Sequence, residues 1–305
     1  MSLQHYDVFG LRVASELPLA DLRPASGERA TDVAIRWGDV APPETPPTGL
    51  IVEGDLALLC IEGIARYAIR GGREIVVEAD PAASERNLRL FLLGSAFAAI
   101  LHQRSLLPLH ANAIVVEGKA IAFLGHPGAG KSTMAAWFHD RGFPVLADDV
   151  CVVTLDQAGR PIAHPGLPRL RLWREALEAS GRVADDYELS FDAMDKYDVP
   201  ARTSDISGGV PLDHLYILEK AEGPDGAAVE RLRGARAVEA LVANTYRGAY
   251  VPLMGLTQRH LLACAAVAGK VPVFRASRLW GLDRIDAQAG LLEQHARATI
   301  LRTTA

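Results

Sequence analysis

Apolar and polar residues alternate in short runs through residues 1–80. YDVFGLRVA, DVAIRWG, GLIVEG, LALLCIEG, ARYAIR and REIVVEA recur with turn residues between them. Several keep a period of two, the mark of a half-buried strand. PPETPPTG at 42–49 is expected as a surface loop or an irregular crossing. The pattern then changes. Ser84 is placed as an N-cap before Glu85, and apolar residues run densely from there to Leu101. This predicts a helix buried on most faces. The expected organisation is a small β-rich domain over 1–83, a joining helix over 84–104 and a second domain over 105–305.

In the second domain LLPLHANAIVVEG predicts two strands and KAIAFLG a third, ending in a Gly-rich loop. STMAAWFHDRG reads as a helix closed by Gly142 at its C-terminal end. FPVLADDVCVVTLD reads as strand, acidic corner and strand. Strand, loop, helix and strand in this order form the nucleotide-binding half of an α/β fold. AHPGLPRLRLWREALEASG predicts a turn, an extended stretch and a short helix, and residues 180–210 are expected to be loop-rich. DHLYILEKA and VPVFRASR are predicted strands; ARAVEALVANTY, HLLACAAVAGK and LDRIDAQAGLLEQHARATI are predicted helices.

Composition narrows the function classes. The chain has 305 residues, 49% of them apolar and 23% charged, enough for a packed core in one large domain or two ordinary ones. Its net charge is −5 and it has no dense Lys/Arg run, so no nucleic-acid partner is expected. Cys60, Cys151 and Cys264 are odd in number and form no CxxC pair; they are read as small buried hydrophobes rather than as disulfide or zinc ligands. The most apolar run, LFLLGSAFAAIL at 90–101, is too short for a bilayer span. The opening MSLQHYDVFG has no basic segment followed by an apolar one. A cytoplasmic protein with no membrane association is expected.

The chemistry centres on GHPGAGKST. Gly125, Gly130, Lys131 and Ser132 match G-x-x-x-x-G-K-[ST], with His126, Pro127, Gly128 and Ala129 between them. Glycines let backbone N–H groups turn inward around phosphates, and the following helix adds its positive end. Lys131 would neutralise the β- and γ-phosphates, Ser132 would ligate magnesium and Thr133 would reach the α-phosphate. ATP and Mg2+ are the expected cofactors. His126 is either a phosphate or base contact or a tolerated exposed position. Asp148-Asp149 follows the apolar strand FPVLA. One carboxylate there can hold the metal while the other takes a proton from an attacking hydroxyl. His110 ends a strand just before the loop strand, and reads equally well as a structural residue or a site residue.

LLPLHANAIVVEGKAIAFLGHPGAGKST…RGFPVLADDV resembles the catalytic domain of HPr kinase/phosphorylase and, more distantly, PEP carboxykinase. The likeness is specific over about 105–152. It implies an α/β P-loop kinase domain following the β-rich one. It also implies that Gly125, Gly130, Lys131, Ser132 and Thr133 bind triphosphate and magnesium. Asp148 would deprotonate an acceptor serine, Asp149 would hold the metal and His110 would lie near the transferred group. The E-x-x-G-x-G signature of the bacterial enzymes is absent; the corresponding stretch reads AHPGLPRLRLW. YDVFGLRVASELPL, LLGSAFAAILHQRSLLPLHA and PGLPRLRLW resemble HPr-kinase-related proteins of bacterial peptide-modification clusters, among them kinases of the C-terminal serine of lasso-peptide precursors. The implied partner is a peptide or small protein carrying an acceptor serine, and the resemblance admits a homo-oligomer.

Four cations outside the matched core, Arg169, Arg171, Lys196 and Arg247, are candidates for stabilising a transferring phosphoryl group, with Arg247 first and Lys196 second. Three other functions compete. An ABC-type ATPase would use ISGG at 206–209, but GVPLDHLYILEKA lacks the Asp-Glu pair that should follow. A nucleotide sensor would need no base such as the double Asp supplies. A small-molecule kinase would leave the β-rich domain without a task.

Overall fold

The computed structural model describes residues 3–43, 49–191, 194–201, 206, 208–223, 227–279 and 281–304. The alternating runs become β1 (Gln4–Val8), β2 (Leu11–Ser15), β3 (Arg23–Pro24), β4 (Val33–Trp37), β5 (Gly49–Glu53), β6 (Leu56–Ile61), β7 (Ala65–Arg70) and β8 (Glu74–Ala79). They form one sheet in the order β3-β1-β2-β4-β8-β7-β6-β5. The pairs β2–β4 and β4–β8 are parallel and the others antiparallel. In β6, Ala57 and Leu59 face the core while Leu58 and Cys60 sit half-buried on the other face. Cys60 therefore departs from the expectation that every cysteine is buried: strand alternation that buries Leu59 turns its neighbour outward. Cys151 and Cys264 are buried, and all three are free. Of PPETPPTG, residues 44–48 lie outside the described residues.

The β1–β2 hairpin closes through Phe9 and Gly10, with φ of 55° and 79°. This two-residue turn follows the natural strand twist and needs positive φ at both positions. Glycine adopts it freely, whereas Phe9 is held there by its surroundings. Its ring is buried 5.8 Å from that of Phe97, and its N–H donates to the Pro165 carbonyl at 2.8 Å.

Ser84 caps the predicted helix, its Oγ accepting from the Asn87 N–H at 3.3 Å. The helix runs as α1 (Glu85–Phe91), a π-helical turn (Leu92–Ala96) and α2 (Phe97–Gln103). Leu92 and Ala96–Ile100 are fully buried, as the unbroken apolar run requires. The core that they share with the first sheet continues into Val150, Val152, Leu167 and Tyr250.

The remaining elements are β9 (Leu107–Leu109), β10 (Ala111–Val116), β11 (Lys119–Leu124), α3 (Lys131–Asp140), β12 (Val145–Ala147), β13 (Cys151–Leu155), β14 (Pro161–His164), β15 (Arg169–Trp173), α4 (Arg174–Ala179), β16 (Glu188–Phe191), β17 (Met194–Pro200), β18 (Val210–Lys220), β19 (Ala228–Leu232), α5 (Ala235–Ala243), α6 (Tyr250–Leu253), α7 (Thr257–Ala268), β20 (Val273–Arg278) and α8 (Ile285–Thr304). A second sheet has the order β12-β10-β11-β18-β14-β13-β9, with β20 on β18 and β19 on β20. Its middle is parallel, β11 against β18 and β18 against β20. One core cluster joins α3 and α8 to this sheet, and another joins α5 and α7 to it. The chain is thus a mixed α/β protein with several sheets. None of its described helices is long and apolar enough to cross a membrane.

Residues 180–210 are more regular than expected. β16 and β17 join β15 in a small antiparallel sheet. Tyr197 and Val199 alternate inward along β17, but the intervening Asp198 is polar and also half-buried, which hides the period in the sequence. Residues 192–193, 202–205 and 207 lie outside the described residues, so ISGG is described only at Ile206, Gly208 and Gly209.

Candidate active site

β11 ends at Leu124 and the chain passes directly into the loop. Gly125, Gly128 and Gly130 have φ of 142°, 82° and 80°, values that side chains rarely permit. Space adds a second constraint. A Cβ on Gly125 would lie 2.7 Å from the Leu218 carbonyl, and one on Gly130 would run into the Arg278 guanidinium. α3 begins at Lys131, so the free N–H groups of its first turn lie at the loop. Lys131 Nζ donates to the Gly125 carbonyl at 2.7 Å and the His126 carbonyl at 3.3 Å. Burial pulls its pKa down to about 8, against the opposing charge of Asp149. His126, Pro127 and Gly128 are exposed, Ala129 is buried, and Ser132 and Thr133 are half-buried.

β12 delivers the acidic corner opposite. Asp148 is 4% exposed. One of its oxygens accepts from Asn112 Nδ2 and the other from the Arg171 backbone N–H at 2.9 Å. Burial, then the neighbouring Asp149 charge, raises its pKa to about 6. Asp149 has φ of 67°, which turns adjacent carboxylates to different surroundings. Burial alone would raise Asp149, but the charges of Lys196, Arg171 and Lys131 hold its carboxyl below the ordinary value. An Arg171 nitrogen lies 3.7 Å from Asp149.

His110 packs beside this corner. Its Nδ1 lies 3.2 Å from the Asp149 carbonyl and 3.8 Å from the carboxylate, and its ring stacks on Tyr246 at 5.9 Å. Burial, aided by Lys131, lowers its pKa, which keeps the ring neutral at pH 7. The segment after α5 is fastened to the same place. The Asn244 carbonyl accepts from the His110 N–H at 2.7 Å, Tyr246 N–H donates to the Pro108 carbonyl at 2.9 Å, and Asn244 Oδ1 accepts from the Gly125 N–H at 2.9 Å. Arg247 follows with φ of 51° and lies 5.8 Å from the Tyr246 ring.

Two clefts flank the loop. One, of about 510 Å3, is bordered by His126, Asn244, Tyr246 and Arg247. The other, of about 670 Å3, is bordered by Lys131, Ser132, Thr133, Trp173, Lys196 and Arg278. His110, Pro127 and Asp149 line both. The fold therefore brings His110, Lys131, Asp149, Lys196 and Arg247 around connected space. Asp148 sits behind them on a notch of about 20 Å3 with Leu93, Gly94 and Tyr246. Arg171 joins the acidic corner, whereas Arg169 is turned toward Asp21 and Asp198, at 2.6 and 2.9 Å.

Sequence reasoning missed Asn112, Asn244, Tyr246, Trp173 and Arg278. Arg278 ends β20 and donates to the Ala129 carbonyl inside the loop. One signal was present: ligands in α/β sheets gather at the carboxyl ends of parallel strands, and VPVFRASR ends with Arg278 there.

No protein-family model matches the chain, and no curated protein matches it. Among solved structures, the chain is similar to the Hpr(Ser) kinase/phosphatase from Coxiella burnetii, with 12% identity and a TM-score of 0.35, over 65% of this chain and 99% of that one. A likeness of that size carries no argument about activity.

Proposed function

We propose that the protein is a magnesium- and ATP-dependent serine kinase of the HPr-kinase-like class, acting in the cytoplasm on a peptide or small protein. The C-terminal serine of a lasso-peptide precursor is the narrowest form of this reading. The observation that carries it is the meeting of the phosphate loop and Asp149 at two joined clefts, with Asp148 on the adjoining notch that Asp149 also lines. The loop fits a triphosphate: Gly125 has no room for a Cβ and Gly130 holds a φ of 80°, and the α3 N-terminus and Lys131 supply positive charge at one place. Ser132 and Asp149 would hold magnesium, which would neutralise charge on the phosphates. No group of three or more metal-ligating side chains occurs among the described residues; magnesium shared with phosphates needs only one or two carboxylates.

In this reading Asp148 takes the proton of the acceptor hydroxyl as its oxygen bonds to the γ-phosphorus and the bond to the β-phosphate oxygen breaks. A carboxyl with its pKa near 6 is ionised at neutral pH and still basic enough for this task. Lys131, Lys196 and Arg247 would offset charge on the transferring group. The residues 1–83 sheet would serve as a platform for the acceptor and residues 105–305 would hold the nucleotide.

The test is phosphate transfer followed by intact mass, using serine-ending peptides, with HPr as a second substrate and Asp148→Ala as control. An added phosphate on one acceptor, lost in the variant, is expected. An Asp148→Ala protein that transfers as well as wild type would sink the assignment of the base.

A further inference from the structure

Resting on the reading that the loop holds a triphosphate, we infer that the cleft on the Trp173 side is a nucleobase site and that Trp173 is the surface on which a purine stacks. The cleft is lined by Lys131, Ser132 and Thr133, where α3 starts, and by Trp173, Met194, Leu282 and Ile285. Trp173, Met194 and Leu282 are large apolar side chains left 48%, 41% and 38% exposed. Exposed apolar surface in the same cleft as the phosphate loop suits a flat, weakly hydrated ring. The Lys196 ammonium lies 6.0 Å from the Trp173 ring centre, near the limit of a cation–π contact.

The opposite cleft is unsuited to that role. Its aromatic ring, Tyr246, is half-buried and already stacked against His110 at 5.9 Å. The clefts meet at His110, Pro127 and Asp149. A transferring group has to lie where both substrates reach it, so a nucleotide entering from the Trp173 side leaves the Arg247 side to the acceptor. The volume of about 670 Å3 lies within the range of pockets that enclose drug-sized ligands.

Titration calorimetry in magnesium buffer, with ATP and inorganic tripolyphosphate as separate probes, tests this. Wild type is expected to bind ATP at least about tenfold more tightly than tripolyphosphate, the order that stacking of one base supplies. Trp173→Ala and Leu282→Ala should each weaken ATP, the first about tenfold, and leave tripolyphosphate unchanged, while Trp173→Phe retains ATP binding. Equal affinity of the two probes in wild type overturns the base site, as does a loss in both variants that falls on both probes alike. Variants that bind ATP like wild type also overturn it. A protein that binds neither probe refutes the phosphate-loop reading itself.

Discussion

Asp148 and Asp149 are neighbours in sequence and opposites in electrostatics. Burial raises the first to about 6, while cations around the second hold it down. A general base works only when ionised, so the rate of transfer should rise with pH through about 6 and then level. Lys131 sets the opposite limit. Its charged form is the one that attracts phosphate, so nucleotide affinity of the free protein should fall as pH rises through about 8. A bell-shaped profile of kcat/KM is expected. Asp148→Asn should lower kcat by about 10²–10⁴ and erase the acid limb while keeping ATP affinity. An acid limb that survives in the variant would assign the base elsewhere.

At the scale of elements, the loop is a contact between parts distant in the chain. Arg278 and Ala129 are 149 positions apart, and Asn244 and Gly125 are 119 apart. Asn244→Ala would leave the buried Gly125 N–H without its acceptor, at a cost of about 1–3 kcal/mol. Thermal unfolding should show that loss, and transfer assays should show a higher KM for ATP. Gly125→Ala is more severe: at φ of 142° its Cβ meets the Leu218 backbone carbonyl, so ATP binding by calorimetry should fall sharply. These separations also explain what the sequence could and could not disclose. GHPGAGKST was legible because strand, glycines, lysine and helix are contiguous. ADDV was legible because it ends an apolar strand. Asn112, Asn244 and Arg278 carry no local signature, since an asparagine at a strand or helix end acquires its meaning only from the chain that folds against it. β16 and β17 were hidden for a related reason: Ser190 and Asp198 are polar yet turned toward one another, at 2.5 Å, so the strand period is broken by residues that satisfy each other.

Across the whole molecule, charge links the first sheet to the acidic corner. From Asp149 the chain of contacts runs to Arg171 at 3.7 Å, then Asp198 at 3.4 Å, Arg169 at 2.9 Å, Asp21 at 2.6 Å and Arg89 at 2.9 Å. Arg169 is shielded, its side chain 13% exposed, and it stands between two carboxylates. Removing one of them leaves a partly uncompensated cation in a poorly solvated place, which costs more than a surface pair is worth. Asp21→Asn should therefore destabilise the fold by about 2 kcal/mol, read as a lower midpoint in thermal unfolding. It should also free Arg169 to compete for Asp198, loosening the hold of Asp198 on Arg171 and so the setting of the acidic corner. The expected kinetic result is a fall in kcat with ATP affinity unchanged, because the loop itself is far from the substitution along this path. A midpoint that drops with kcat intact would mean that the network supports the fold without positioning the corner. Asp198→Asn separates the two effects, since it acts on Arg169 and Arg171 together and should lower kcat further than Asp21→Asn does.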